Sequence, residues 1–228
     1  MLILGIDTSG KTASASLFDT ETNTFLAEST LYTQKTHSQV IMPIVKDIIF
    51  QTGKTMSDIG LIAVANGPGS YTGLRIGVSA VKSMCFALDI KCTGVSTLEG
   101  LAFNNTAFKG VICSVMKARG ELVYTCSYKN DTHLEQICEE KIISRDELAE
   151  FLKEVNSDVL LCGDGAEDFF KDYALPKLYI APPQSRLQNA CGVCLASLSK
   201  ESVSPDELEV SYLQKVKAEK DLENIKNS

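Results

Sequence analysis

Residues 66–77 read NGPGSYTGLRIG, a glycine-rich turn between an apolar run and a stretch of small residues with helical spacing. The apolar run, residues 61–65, predicts a buried strand, and residues 72–88 predict a helix. Glycine permits positive φ and close approach of the backbone, and the start of a helix attracts anions. The segment therefore predicts either a phosphate-binding turn or a packing turn with Thr72 as the helix N-cap.

The first third of the chain alternates strand and helix patterns. Residues 2–6 and 12–18 predict a β-hairpin, and residues 25–31 predict a third strand. Apolar residues then recur at helical spacing over residues 40–50, and Pro43 requires this helix to begin nearby or to kink. The order continues with strand 61–65, helix 72–88, strand 90–95 and helix 97–103.

The second half has weaker patterns. The polar stretch 104–109 is the best candidate for a domain boundary, which predicts an N-terminal α/β lobe over 1–105 and a smaller α/β lobe over 106–228. Charged residues predominate after residue 213 and predict a solvated helix or a frayed tail. The predicted elements are strands 111–115, 123–128, 134–143 and 159–162 and helices 146–153 and 184–200.

Three segments resemble the TsaB (YeaZ) family: residues 4–9 (LGIDTS), residues 66–77, and residues 94–101 (GVSTLEGL). Members of that family are the non-catalytic partners of TsaD, the enzyme that builds threonylcarbamoyladenosine on tRNA. The resemblance implies the two-lobed actin-like ATPase fold (ASKHA, ribonuclease H-like), with mixed sheets flanked by helices, and the order of predicted elements agrees with it. It also implies a scaffold that binds and activates TsaD, a TsaE-like ATPase in a ternary complex, and contact with tRNA only through that complex.

The chain departs from the TsaD pattern at residues 97–101. TsaD carries H-x-E-G-H there, and two histidines one helical turn apart can hold a metal ion. Thr97 and Leu101 cannot replace imidazole ligands, so the resemblance predicts neither a metal site nor a catalytic residue at this place. The two histidines, His37 and His133, are far apart in sequence, and His37 is expected to cap a helix or face solvent.

Residues 5–12, GIDTSGKT, satisfy the P-loop pattern G-x-x-x-x-G-K-[ST]. A P-loop lies between a strand and a helix, whereas Gly5 falls within one predicted strand and Thr12 opens another. The segment instead resembles the first phosphate hairpin of actin-like ATPases, which leaves weak ATP or ADP binding, or a weak nucleotide phosphohydrolase, as an alternative function. The candidate phosphate or nucleotide residues are Asp7, Thr8, Ser9, Gly67, Gly69, Ser70 and Gly73.

Two helices are the candidate partner surface. The first carries Met42 and Phe50 outside its apolar stripe, so one face can cover a sheet and leave apolar residues for a partner. The family resemblance implies that both helices pair with those of TsaD or with a second copy in a homodimer; alternatively, the excess apolar residues bury against this chain's own second half. The candidate interface residues are His37, Ile41, Ile44, Val45, Ile48, Arg75, Val78 and Lys82.

Composition limits the remaining functions. A formal net charge of −7 argues against a protein that grips nucleic acid by itself, because phosphate neutralisation needs a basic face. The eight cysteines are scattered, which predicts reduced thiols, and Cys191 and Cys194 form a CxxC inside a predicted helix, read as core thiols rather than a redox or zinc site. No apolar run long enough for a membrane span and no signal-peptide pattern occurs, so we expect a cytoplasmic protein.

Overall fold

The computed structural model describes residues 1–213 as two β-sheets with helices packed against them. The first sheet has five strands in the order β3-β2-β1-β4-β5, with β1 antiparallel to β2 and parallel to β4. Its strands are β1 (Leu2–Asp7), β2 (Thr12–Asp19), β3 (Thr24–Tyr32), β4 (Ile59–Gly67) and β5 (Cys92–Ser96).

Helices cover both faces of the first sheet. The chain has helices α1 (His37–Gln51), α2 (Tyr71–Leu88) and α3 (Thr97–Phe103) in its first half and α4 (Arg145–Glu154), α5 (Ala166–Asp172), α6 (Pro183–Arg186) and α7 (Ala190–Ser197) in its second. On one face of β1, Leu4 and Ile6 pack against α1 and α2, and on the other face Ile3 packs against α7. This explains why β1 is a continuous apolar run rather than an alternating one.

The second sheet has the strand order β11-β10-β6-β7-β8, and β9 also pairs with β7. Helices α4 and α5 pack on one face, through Leu148, Leu152 and Phe169. Helix α3 packs on the other, through Leu98 and Leu101. The strands are β6 (Gly110–Lys117), β7 (Leu122–Asn130), β8 (Leu134–Gln136), β9 (Lys141–Ser144), β10 (Val159–Cys162) and β11 (Leu178–Ile180).

Most predicted elements of the first half are confirmed. The hairpin, the third strand and the two long helices are present, and α1 begins at His37 with Pro43 inside it. The helix N-cap assigned to Thr72 is wrong. Helix α2 begins one residue earlier, and the Ser70 side chain caps it by accepting from the Gly73 N–H. Ser70 can cap the helix because it lies three residues before Gly73, whose N–H has no acceptor within the helix, and this is the usual N-cap geometry.

Two predictions for the second half are wrong. Residues 134–143 form two strands, because residues 137–140 leave the ladder with β7. Residues 184–200 form two helices, because the Asn189 side chain accepts a hydrogen bond from the Cys191 N–H and caps a separate helix, α7. Helix α5 and strand β11 were not predicted, since each is short and α5 is highly charged.

The C-terminal part of the described chain returns to the first sheet. Val203 pairs with Cys92 beside β5, and Leu208 is buried in the same core as α1 and α2. The connection 104–109 joins α3 to β6, and the division into lobes 1–105 and 106–228 stays a prediction. The predicted charged tail lies outside the described residues from position 214 onward.

Candidate functional site

The glycine turn after β4 packs directly on the β1–β2 hairpin. Gly69 has φ +158, and a Cβ there would lie 2.4 Å from the carbonyl oxygen of Ser9. The Ser70 N–H donates to that same oxygen at 2.7 Å. The turn therefore needs glycine for close approach to the hairpin, and the Ser70 amide is already occupied.

The start of α2 makes an equally close contact with Thr8. A Cβ at Gly73 would lie 2.1 Å from the Thr8 carbonyl oxygen, and one at Gly77 would lie 2.5 Å from the Thr8 hydroxyl. That hydroxyl donates to the carbonyl oxygen of Gly73 at 2.7 Å. The contact supports the packing interpretation of the glycines, because each absent side chain makes room for the hairpin.

Asp7, the acidic member of the candidate phosphate hairpin, is buried at the end of β1 and only 2% exposed. Ser9 donates both its backbone N–H, at 2.8 Å, and its hydroxyl, at 2.6 Å, to the Asp7 Oδ1 atom. Burial nevertheless raises the pKa of Asp7 to about 6, because the two hydrogen bonds only partly offset the loss of water around the carboxylate. These two bonds tie the Asp7 carboxylate to the turn of its own hairpin.

The P-loop match is rejected by the structure, as predicted. Thr12 lies in β2 rather than at a helix start, and its hydroxyl donates to the buried carbonyl oxygen of Gln188 at 2.6 Å. Lys11 is exposed at the tip of the hairpin. A strand, β2, follows this loop where a P-loop has the helix that directs its amides toward a phosphate group.

A polar cleft of about 520 Å³ nevertheless lies between the hairpin, the glycine turn and the β6–β7 turn. Its basic side chains are Lys11, Lys117 and Arg119, and Asp164 faces them. Lys117 forms an ion pair with Asp168 at 2.5 Å, and its backbone N–H donates to Asp164. Asp164 lies between two glycines after β10, a pattern that the sequence alone explains equally well as a nucleotide motif or as the strand-to-helix turn that is present here.

Three of the seven candidate phosphate residues border this cleft. Ser9, Gly69 and Ser70 line it, whereas Asp7 and Thr8 are buried. Burial raises the pKa of Asp164, the acidic residue of the cleft. Lys11 and Arg119 are available to an anion, whereas Lys117 is paired with Asp168 and the backbone amides of Ser9 and Ser70 already donate within the protein.

The predicted partner residues on α1 face this chain's own core. Ile41, Ile44, Val45 and Ile48 are buried against the first sheet. His37 is half-buried at the start of α1, with its Nδ1 atom 3.3 Å from the position that a Cβ at Gly73 would take. The opposite face of α1 is therefore the one that stays exposed.

That opposite face carries an exposed apolar patch. Met42 is 44% exposed and Phe50 is 76% exposed, eight residues apart on the same helix. The two apolar side chains lie on one side of α1 because residues at this spacing share a face. The patch consists of Met42, Pro43, Lys46, Asp47 and Phe50.

The predicted partner residues on α2 lie beside the C-terminal segment of the chain itself. The Arg75 Nε atom donates to the Tyr212 hydroxyl at 3.1 Å, and its guanidinium lies 4.0 Å above the ring of Tyr71. Lys82 donates to the carbonyl oxygen of Asp206, and Val78 is buried. The segment from 206 to 212 thus borders this face of α2, where Arg75 stays exposed and Lys82 is half-buried.

Two further motifs are buried within the core. Thr97 and Leu101, at the positions of the TsaD histidines, are buried on α3. Cys194 is buried beside Ser16, burial raises its pKa to about 12, and Cys191 is half-buried on the same helix. Across residues 1–213, no three His, Cys, Asp or Glu side chains are grouped closely enough to hold a metal ion. No helix in that range is long and apolar enough to cross a bilayer.

Comparison with known proteins identifies relatives over nearly the whole length. The family model of TsaD, tRNA N6-adenosine threonylcarbamoyltransferase, matches residues 27–190. The tRNA threonylcarbamoyladenosine biosynthesis protein TsaB of Bacillus subtilis is 34% identical over 224 residues, which cover 96% of each chain.

Solved structures show the same fold. An uncharacterised Pseudomonas aeruginosa protein with similarity to peptidase YeaZ superposes with a TM-score of 0.80 at 21% identity, covering 93% of this chain and 99% of that one. The ROK hexokinase of Thermus thermophilus superposes at 0.50 and 11% identity, covering 86% of this chain and 98% of that one. The predicted two-lobed actin-like ATPase fold is confirmed, and the chain belongs to the TsaB (YeaZ) family.

Proposed function

We propose that this protein is a non-catalytic subunit in the synthesis of threonylcarbamoyladenosine on tRNA, and that it binds and activates a TsaD-like transferase. The observation that carries the proposal is the exposed apolar patch on α1, defined by Met42, Pro43, Lys46, Asp47 and Phe50. Two large apolar side chains on one exposed helix face mark a docking surface, because water exposure of such a patch is unfavourable.

The residues at 97–101 support the non-catalytic part of the proposal. In the family resemblance, the TsaD metal ligands correspond to Thr97 and Leu101, and both side chains are enclosed in the core of this chain. Neither side chain is a metal ligand of the imidazole type. Bond-making chemistry is thereby assigned to the partner.

The α1 patch also suits a helical partner. Met42 and Phe50 are spaced by two turns of helix, and Lys46 lies between them one turn from each. An amphipathic helix can place apolar residues against Met42 and Phe50 and an acidic residue near Lys46. A TsaD-like subunit is the proposed first occupant, and a second copy of this chain is the alternative occupant of the same surface.

Co-purification with the cognate TsaD-like subunit tests the proposal, with a tRNA modification assay as the activity readout. The double variant Met42→Asp, Phe50→Asp is expected to fold normally, because both side chains are exposed, and to lose the complex. Two aspartates desolvated against apolar side chains would weaken binding by several kcal/mol, enough to take a micromolar complex beyond detection.

Leu198→Asp provides the matched control, since Leu198 is an exposed apolar residue at the end of α7, away from α1. This control is expected to co-purify like the unmodified protein. If the Met42, Phe50 double variant kept the complex and tRNA modification, the assignment of the docking surface to α1 would be refuted. Product formation by the isolated protein would refute the non-catalytic assignment.

Weak ADP or ATP binding in the polar cleft is a second proposal. Three basic residues, Lys11, Lys117 and Arg119, line a cleft large enough for part of a nucleotide. Their positive charge favours the binding of an anion. The closed Asp7 hairpin argues against hydrolysis, because the carboxylate is already bonded to Ser9. Calorimetric titration of ADP into the unmodified protein and into Lys117→Ala tests this binding. The absence of a binding heat in both proteins would refute the second proposal.

We further propose that a TsaE-like ATPase joins the complex and that tRNA is contacted only through it, in the cytoplasm. The net charge of −7 supports this arrangement, since an acidic protein repels a phosphate backbone. Electrophoretic mobility shift of tRNA should require the assembled complex. A shift by this protein alone at physiological salt would refute the indirect role.

A further inference from the structure

Two cysteines lie opposite each other where β7 faces the irregular stretch between β8 and β9. The β7–β8 ladder pairs Tyr128 with Gln136. The ladder stops at that pair, and Cys126 and Cys138 lie just beyond it, where the Ile137 N–H still donates to the carbonyl oxygen of Ser127 at 2.9 Å. Residues 137–140 form a bulge before the ladder resumes with β9. Bulges of this kind redirect side chains.

Each sulfur atom makes a hydrogen bond to the opposite segment. The Ser127 N–H, which belongs to the peptide unit that follows Cys126, donates to the Cys138 Sγ atom at 3.2 Å. The Cys126 Sγ atom donates to the carbonyl oxygen of Cys138 at 3.2 Å. These contacts place the two cysteines next to each other across the strand and the bulge, which is the arrangement that a cross-strand disulfide needs.

The two thiols differ in exposure and in acidity. Cys138 is half-buried, whereas Cys126 is buried. Hydrogen bonds from the Cys126 thiol and from the Ser127 backbone lower the pKa of Cys138 to about 6, and the same contact together with burial raises the pKa of Cys126. The thiolate is the reactive form of cysteine, so Cys138 is the nucleophile of the pair.

We propose that Cys138 and Cys126 form a redox pair, in which a low-molecular-weight disulfide such as glutathione disulfide oxidises Cys138 and Cys126 resolves it. The Cys138 thiolate attacks one sulfur of glutathione disulfide, the S–S bond breaks, and one glutathione thiolate leaves. Cys126 then attacks the Cys138 sulfur and expels the second glutathione, whose leaving thiolate takes the Cys126 proton. Two protein thiols are oxidised and one glutathione disulfide is reduced to two thiols.

The new bond would join β7 to the bulge 137–140 and fix that segment against the sheet. Cys138 is the member of the pair open to an oxidant, since it is half-buried, whereas the other cysteines packed in this sheet, Cys113, Cys126 and Cys162, are fully buried. In a reducing compartment, disulfides that form at such sites act as reversible signals rather than as structural links. The bond would return to two thiols when reduced glutathione predominates.

The test uses the full-length protein, incubated with glutathione disulfide, quenched in acid, alkylated and mapped by mass spectrometry. We expect a Cys126–Cys138 cross-linked peptide, lighter than its two thiols by two hydrogens. Cys126→Ala should retain glutathione on Cys138, because no resolving thiol remains, and Cys138→Ala should leave Cys126 unmodified. Cys191→Ala is the matched control and should form the same cross-link, which distinguishes this pair from the CxxC on α7.

Two results would overturn the proposal. One is a persistent glutathione adduct on Cys138 in the unmodified protein, since this would show that Cys126 does not resolve it. The other is a Cys138 that stays fully alkylatable at a glutathione disulfide concentration that oxidises dithiothreitol in the same tube. Circular dichroism of each variant verifies folding, and the result on the unmodified protein decides the question even where a variant unfolds.

Discussion

Replacing Asp7 by asparagine should stabilise this protein above pH 6. Burial raises the pKa of Asp7 from 3.8 to about 6, so the folded state binds a proton more tightly than the unfolded state does. The unfolding free energy therefore falls as pH rises from about 4 through 6, since the native state is then the one that must give up its proton. A difference of about two pKa units corresponds to about 3 kcal/mol, which asparagine avoids because it stays neutral.

Urea denaturation of the unmodified protein and of Asp7→Asn at pH 4 and at pH 7.5 measures the effect. The carbonyl oxygen of the asparagine side chain can still accept both Ser9 hydrogen bonds. The unfolding free energies of the two proteins should therefore be similar at pH 4 and differ by up to about 3 kcal/mol at pH 7.5. Asp47→Asn, on the exposed face of α1, is the control and should not alter the pH dependence. Parallel pH profiles of the unmodified protein and the Asp7 variant would refute the reasoning, because they would show that Asp7 is not the group responsible.

Two further substitutions examine the packing of the hairpin. Gly73→Ala should destabilise the protein by about 1–3 kcal/mol, because its Cβ would lie 2.1 Å from the Thr8 carbonyl oxygen. Gly100→Ala in α3 should be neutral or stabilising by up to about 1 kcal/mol, since its Cβ meets only ordinary contacts; equal denaturation midpoints for both variants would contradict this. Lys11→Ala should leave tRNA modification with the TsaD-like subunit unchanged, and a loss of modification in that assay would restore a functional role for the P-loop-like sequence.

The first half of the fold could be predicted because its patterns are local. The apolar run of β1 and the alternation of β2 determine the hairpin, and the apolar spacing of α1 survives the proline at position 43. The second half could not be predicted as well, because its breaks depend on contacts distant in sequence. The β8–β9 bulge is visible only against β7, and the gap between α6 and α7 is set where Thr12 bonds the backbone of Gln188.

The candidate site was predicted in part for the same reason. Residues 7–9 and 67–73 come together as expected, since a hairpin and a turn at neighbouring strand ends share one edge of the sheet. Which atoms remain free could not be read from the sequence. The Ser9 carbonyl oxygen accepts from the Ser70 N–H, and the Thr8 hydroxyl donates to the Gly73 carbonyl oxygen. No pattern of residue types in the sequence predicts either bond.

These internal hydrogen bonds connect the glycine segment to the proposed docking surface. The hairpin holds the first turn of α2 through Thr8, and α2 in turn abuts the start of α1 where His37 lies beside Gly73. An anion entering the turn would have to displace bonds that now fix α2, whereas a partner on the outer face of α1 disturbs none of them. The glycine segment therefore holds α2 and the start of α1 from inside the protein, while Met42 and Phe50 stay exposed on the outer face of α1 for a partner helix.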